Sequence, residues 1–342
     1  MQTFLVTGAS GYIASWIVKL LLEKGEKVHG TVRKLSDNKK VSHLQDLQTR
    51  YPDQFTLFEA DILKKDSLRK AMEGCDIVLH TASPFFITKP KDVQLDLIQP
   101  ALDGTRNVLT LANEFPKIKK IVVTSSVAAV FGDSADIWGT KEGVFTEQIW
   151  NTTSDAKHIP YSFSKTLAEK EAWKIAESQK NWELVTINPG FVMGPSLSKR
   201  VDSTSIDTMR SLLNGKYKRG VPNLHFGIVD VRDVARAHIL AALNEQASGR
   251  NICVGTTASI LDMANILRAK YPNYPLPKST VPKFLFYVVG PMMGFSWKYV
   301  SRNIGIKIRF DNWKSIKMGV TYRPLETTLS DHAEQLISDK LI

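Results

Sequence analysis

The sequence predicts an α/β protein built on a doubly wound parallel sheet, with a smaller C-terminal lobe for substrate. Short apolar, β-branched runs alternate with segments of helical period over roughly the first 190 residues, the pattern of a parallel sheet with helices on both faces. The first such run leads at once into a glycine-rich turn, Thr7-Gly8-Ala9-Ser10-Gly11, and then a helix. The alternation breaks after Pro189, where prolines, glycines and aromatic residues take over.

Residues 2–6 read as a buried strand. Ile13, Ile17, Leu20, Leu21 and Leu22 then recur at helical spacing until Gly25. Further strands are predicted over 27–33, 56–60, 76–81, 119–125 and 184–187, and helices over 67–74, 95–115 and 161–178. Residues 189–195 read as loop and 215–227 as turn-rich, while 251–254 read as a strand returning to the sheet. The expected division is a dinucleotide-binding domain of residues 1–190, rejoined by 228–255, and a lobe of 191–227 and 256–342.

Of 342 residues, 43% are hydrophobic and 23% charged, which excludes a disordered, collagen-like or disulfide-scaffold chain. Lys and Arg number 45 against 34 Asp and Glu, a net charge of +11, which favours an anionic ligand. The lysines are scattered, so no nucleic-acid partner is expected. Cys75 and Cys253 form no CxxC pair, and neither His225 nor His238 has metal-site spacing, so no metal, zinc site or disulfide framework is expected. With no leader pattern and no run of 18 apolar residues, a cytoplasmic chain without a membrane span is expected, as monomer or homodimer. The apolar stretch 284–295 reads as a lobe helix, a dimer contact or a membrane-surface contact.

The turn continues as Tyr12-Ile13-Ala14. Glycine allows backbone N–H groups to approach a pyrophosphate, and the helix start offers unpaired donors. Thr7, Gly8, Ser10, Gly11, Tyr12 and Ile13 are therefore expected to hold a dinucleotide; a turn without ligand is the bland alternative. At the end of the second strand an acid would hold the ribose of NAD, whereas Arg accommodates a 2′-phosphate. Arg33 stands there, with Lys40 shortly after, which predicts NADPH or NADP+. A solvated basic face is the rival reading. Asp61 and Ile62 are expected beside the adenine, although Asp61 also reads as a helix N-cap.

Tyr161 and Lys165 are four apart and share a helix face. A nearby ammonium lowers a phenol's pKa from about 10, so Tyr161 can exchange a proton with an alcohol at neutral pH. Ser126 follows the fifth strand, at the end of the sheet where ligands of open α/β folds bind.

In this order the turn, Ser126, Tyr161 and Lys165 resemble the TGxxGxxG/A turn and the catalytic Ser, Tyr and Lys of the extended short-chain dehydrogenase/reductase family, whose fold is of the Rossmann type. Arg33 with Lys40, His80-Thr81-Ala82-Ser83-Pro84, Asn188-Pro189-Gly190 and Val231-Arg232-Asp233-Val234-Ala235 resemble its dihydroflavonol reductase, cinnamoyl-CoA reductase and aldehyde reductase branch, over about residues 3–255. The resemblance implies NADPH-dependent reduction of a small-molecule aldehyde or ketone. Hydride comes from the nicotinamide C4 and the proton from Tyr161, with Ser126 on the developing alkoxide and Lys165 on the ribose. It adds Thr81, Ala82, Ser83, Pro189, Gly190 and Val192 to the cofactor contacts.

Two departures narrow the substrate. Phe131 stands where plant flavonoid reductases carry a substrate-binding Asn, and His158-Ile159-Pro160 precedes Tyr161 in place of the NWYCxxK signature of cinnamoyl-CoA reductases. A pocket with Phe85, Phe131 and Phe191 would suit apolar aldehydes, ketones or ketoesters; ordinary core is the alternative for each. Rival activities within the family are a sugar-nucleotide epimerase or dehydratase and a hydroxysteroid dehydrogenase. A non-catalytic NADP(H) sensor is the rival of another class, disfavoured by the intact Tyr161–Lys165 pair.

Overall fold

The computed structural model describes residues 1–83 and 92–342. Its main sheet has seven parallel strands in the order β3-β2-β1-β4-β5-β6-β9. They are β1 (Thr3–Thr7), β2 (Lys27–Val32), β3 (Phe55–Glu59), β4 (Ile77–His80), β5 (Lys120–Thr124), β6 (Glu183–Pro189) and β9 (Gly249–Cys253). The helices of this part are α1 (Tyr12–Glu23), α2 (Asn38–Arg50), α3 (Arg69–Met72), α4 (Gln99–Ala112), α5 (Pro160–Glu177) and α7 (Val231–Leu243). Apolar faces of α1, α2 and α7 close one side of the sheet, and those of α3, α4 and α5 the other. Central strands are therefore buried on both faces: all four residues of β4 and six of the seven of β6 are buried. Each fully buried Leu, Ile or Val contributes roughly 1.5–3 kcal/mol.

The rest is built around a small second sheet, β10-β8-β7, of β7 (Phe191–Met193), β8 (His225–Asp230) and β10 (Thr256–Ser259). Over it pack α6 (Thr204–Leu213), α8 (Ile260–Lys270) and α12 (Leu325–Ser338). Asp230 caps α7 by accepting from the Arg232 N–H at 2.8 Å, and Ser259 with Asp262 forms a capping box on α8. The outer part of the lobe carries α9 (Lys283–Val289), α10 (Trp297–Asn303) and α11 (Trp313–Lys317). No described helix is long and apolar enough to cross a membrane.

Two expectations are corrected. The loop expected over 189–195 contains β7, and the turn-rich stretch over 215–227 ends inside β8. Both strands are short and are held by partners distant in sequence. The polar segment 38–50, for which the sequence predicts no element, is a helix that buries only Val41, Leu44 and Leu47. Met318 and Val320, assigned to the lobe, fill the core beneath α1 and α7.

Candidate active site

β1 ends on Thr7 and the chain turns at Gly8, whose φ of +65° suits glycine; an added Cβ there would sit 3.0 Å from that of Ala82. The Gly8 N–H donates to Thr31 Oγ1 at 3.2 Å and the Ala9 N–H to the Thr31 carbonyl at 2.8 Å. Thr7 Oγ1 accepts from the N–H groups of Thr81 and Ala82 and lies 2.9 Å from His80 Nδ1. These bonds lace the ends of β1 and β4 and set Ala82 beside the turn. Helix α1 follows with Gly11 as its N-cap, no side-chain cap and no acid in its first turn. Its first amides are thus left to an anion, the donor set a dinucleotide pyrophosphate needs.

Tyr12 is the first residue of α1. Its hydroxyl donates to the Gly194 carbonyl, and burial, aided by Asp230, raises its phenol well above the ordinary value. Ser10 offers its carbonyl to Arg200 Nη1 at 2.9 Å. Arg33 is exposed just beyond β2, and Lys40 Nζ, on α2, lies 3.5 Å from Asp37, the N-cap of that helix. Asp61 Oδ1 accepts from the Leu63 N–H at 3.0 Å, closing its own turn; the 3-10 helix beyond it is capped at Lys64. Ile62 packs on Gly104 of α4.

Ser126 leaves β5 in extended conformation, and its hydroxyl accepts from the Ala128 N–H at 3.1 Å. The same hydroxyl hydrogen-bonds the phenol of Tyr161, which projects from the first turn of α5. That turn begins with Ile159 at φ +53° and with Pro160, which is preorganised for a helix start. His158, just before, is tied through Nε2 to the fully buried Asp133 at 2.9 Å, and Arg302 Nε and Asn303 Nδ2 of α10 donate to the same carboxylate at 2.6 and 2.7 Å. The lobe thereby holds the loop that aims Tyr161.

One turn further, Lys165 lines a cavity of about 20 Å³ with His80, Ala82, Ser83, Thr124, Ser125 and Glu169. The triad and the glycine turn are therefore neighbours. An open hollow of about 550 Å³ lies outside, between Asp155–His158 and Ser296 with Lys298, and is lined by none of the three. Burial pulls the Lys165 ammonium down to about 8 against the opposing pull of Glu169. The expected lowering of the Tyr161 phenol is not found: enclosure pushes it up to about 12, and the Ser126 bond only partly opposes this.

Sequence reasoning missed the support behind Lys165. Glu169 is fully buried and accepts from Arg250 Nε at 2.7 Å, Asn188 Nδ2 at 2.7 Å, Ser125 Oγ and Thr186 Oγ1. Its spacing, four after Lys165 and eight after Tyr161, was the available signal. Pro189 and Gly190 follow beside Ser126: Ser126 Oγ is 3.5 Å from the Pro189 carbonyl, and Gly190 lies against the Gly227 backbone. Val192 packs toward the α1 side of the core. Phe131 stacks on Phe145 at 4.5 Å between centroids, and Phe191 packs on Phe226 at 5.5 Å in the lobe core. Phe85 lies outside the described residues. Cys75 and Cys253 are buried and free, and the described residues contain no cluster of metal ligands.

Residues 4–255 match the model of the NAD dependent epimerase/dehydratase family. The chain is 39% identical over 338 residues to the cinnamoyl-CoA reductase CAD2 of Medicago truncatula, covering 98% of this chain and 95% of that one. It is 37% identical to an anthocyanidin reductase of Vitis vinifera, covering 87% and 91%. Among solved structures, the yeast methylglyoxal/isovaleraldehyde reductase Gre2 complexed with NADPH superposes with a TM-score of 0.82 at 31% identity, covering 99% of this chain and all of that one. With the glycine turn, Ser126, Tyr161 and Lys165 in place, the chain belongs to the NAD-dependent epimerase/dehydratase family, the extended short-chain dehydrogenases/reductases, in its reductase branch.

Proposed function

We propose that this protein reduces an aldehyde or ketone to an alcohol with NADPH. The observation that carries the reading is the meeting of Ser126, Tyr161 and Lys165 beside an uncapped helix start at the carboxyl end of the parallel sheet. The relatives' names support it, since each is a reductase and one structure is an NADPH complex.

The α1 amides would hold the pyrophosphate, and Arg33 with Lys40 the 2′-phosphate. NADPH, when bound, supplies hydride from its nicotinamide C4 to the carbonyl carbon. Tyr161, with its phenol near 12, is neutral at pH 7 and holds a proton on its hydroxyl for the carbonyl oxygen. Ser126 donates a hydrogen bond to the same oxygen as its negative charge grows. Lys165, near 8, stays mostly protonated at pH 7, and its ammonium favours the phenolate that remains on Tyr161 until solvent returns the proton. Phe131, five residues after Ser126 and only partly buried, would offer its ring to an apolar group on the carbonyl compound, with the fully buried Phe145 stacked behind it.

The test is loss of reduced-nicotinamide absorbance with NADPH and with NADH over a panel of aldehydes, ketones and ketoesters. Tyr161→Phe is expected to lower kcat by about 10²–10⁴-fold while NADPH binding, read by fluorescence, is unchanged. Wild-type kcat in that variant would remove the proton-donor role.

A further inference from the structure

We infer that the lobe face formed by α9, the turn after it and Trp297 docks on an anionic lipid surface. Six of the seven residues of α9 are apolar, yet only Phe286 is buried, anchored with Leu224, Val300 and Ile304. The outer face presents Phe284 at 67% exposure, Val288 at 71%, Met292 at 89% and Trp297 at 66%. The Trp297 indole is fixed there by its N–H, which donates to the Tyr287 carbonyl at 2.8 Å. A contiguous face of large apolar groups this exposed marks an interaction surface rather than ordinary scatter.

Charge selects the partner. Residues 263–310 contain eight Lys and Arg and no Asp or Glu. Arg302 is committed to Asp133 and Asp136. Lys283 opens α9 and exposed Lys298 follows Trp297, so both stand on the elements of the apolar face; exposed Lys278 lies five residues before Lys283, and Asp155 is an acid near Lys298. Aromatic and aliphatic side chains rimmed by lysines suit the headgroup boundary of an anionic bilayer, where the rings enter the acyl edge and the ammonium groups meet lipid phosphates and carboxylates. A second copy would fit less well, because a two-fold contact apposes the same patch and brings like-charged rims together.

The test is co-sedimentation of the full chain with vesicles of phosphatidylcholine alone and of phosphatidylcholine with phosphatidylserine, in parallel with light scattering for oligomeric state. The chain is expected to pellet with the phosphatidylserine vesicles at low salt and to be released at high salt. Phe284→Ser with Trp297→Ser should weaken binding by at least about tenfold. Lys278→Glu with Lys298→Glu should abolish the preference for phosphatidylserine. None of these residues belongs to the catalytic site, so NADPH-dependent turnover serves as the check on folding and should be unchanged. Absence of pelleting overturns the inference. So does a wild-type dimer that Phe284→Ser converts to monomer, which would assign the face to a second copy.

Discussion

Arg250→Met tests the support behind the catalytic helix. Four hydrogen bonds leave the guanidinium: one to Glu169 and three to the carbonyls of Glu147, Ile149 and Ala129. The group also lies 3.8 Å over the Trp150 ring. Methionine keeps the apolar stem and removes the charge, leaving the fully buried Glu169 with hydroxyl, amide and indole donors and the nearby Lys165 ammonium, but without its hydrogen-bonded counter-charge. Breaking one side of a buried ion pair costs about 3–5 kcal/mol, a large fraction of a typical stability of about 5–15 kcal/mol. Equilibrium urea unfolding at pH 7, followed by tryptophan fluorescence and circular dichroism, should show a loss of that size. Adding Glu169→Gln removes the stranded charge and should recover about 2 kcal/mol. A loss under about 1 kcal/mol, or a double variant no more stable than Arg250→Met, would refute the buried-pair account.

Arg33→Asp should raise the KM for NADPH at least about tenfold while leaving that for NADH within about threefold; equal effects in steady-state kinetics would remove Arg33 from the 2′-phosphate. Burial lowers His80 and His332 to about 3 and His43 and His238 to about 4, from 6.5. The folded chain then binds fewer protons than the unfolded one below pH 6.5, so stability falls as pH drops from 6.5 toward 4 and does not depend on these groups above it. Each histidine contributes about 1.4 kcal/mol per pH unit in that window, and a urea midpoint constant from pH 7 to 4.5 would contradict this. Gly190→Ala places a Cβ 2.2 Å from the Gly227 carbonyl oxygen, where only backbone movement can relieve it. It should cost roughly 2–4 kcal/mol and lower kcat, and an unchanged thermal midpoint would exclude the contact.

The parallel sheet was legible because its strands are buried on both faces and appear as continuous β-branched runs, of which Ile121-Val122-Val123-Thr124 is the clearest. The glycine turn and the Tyr161–Lys165 face were legible because both depend on local spacing. The small sheet was not: Phe191–Met193 is three residues long and becomes a strand only through its pairing with β8. The clasp on Asp133 was equally hidden, since Arg302 and Asn303 reach it across roughly 170 residues of sequence. The Tyr161 phenol is raised rather than lowered because spacing along a helix shows which charge is near and not how strongly desolvation opposes it.

The place of β9 also bears on synthesis. It covers the β6 edge of the main sheet, yet Gly249 follows Pro189 by sixty residues. At about 5–20 residues per second, a growing chain would present that strand without its neighbour for roughly 3–12 s. Its unpaired N–H and C=O groups and mostly buried side chains form an adhesive template during that interval. A product stopped near residue 190 would keep the edge open permanently, so such fragments should aggregate, and full-length yield should depend on chaperones that shield the edge until its closing strand emerges.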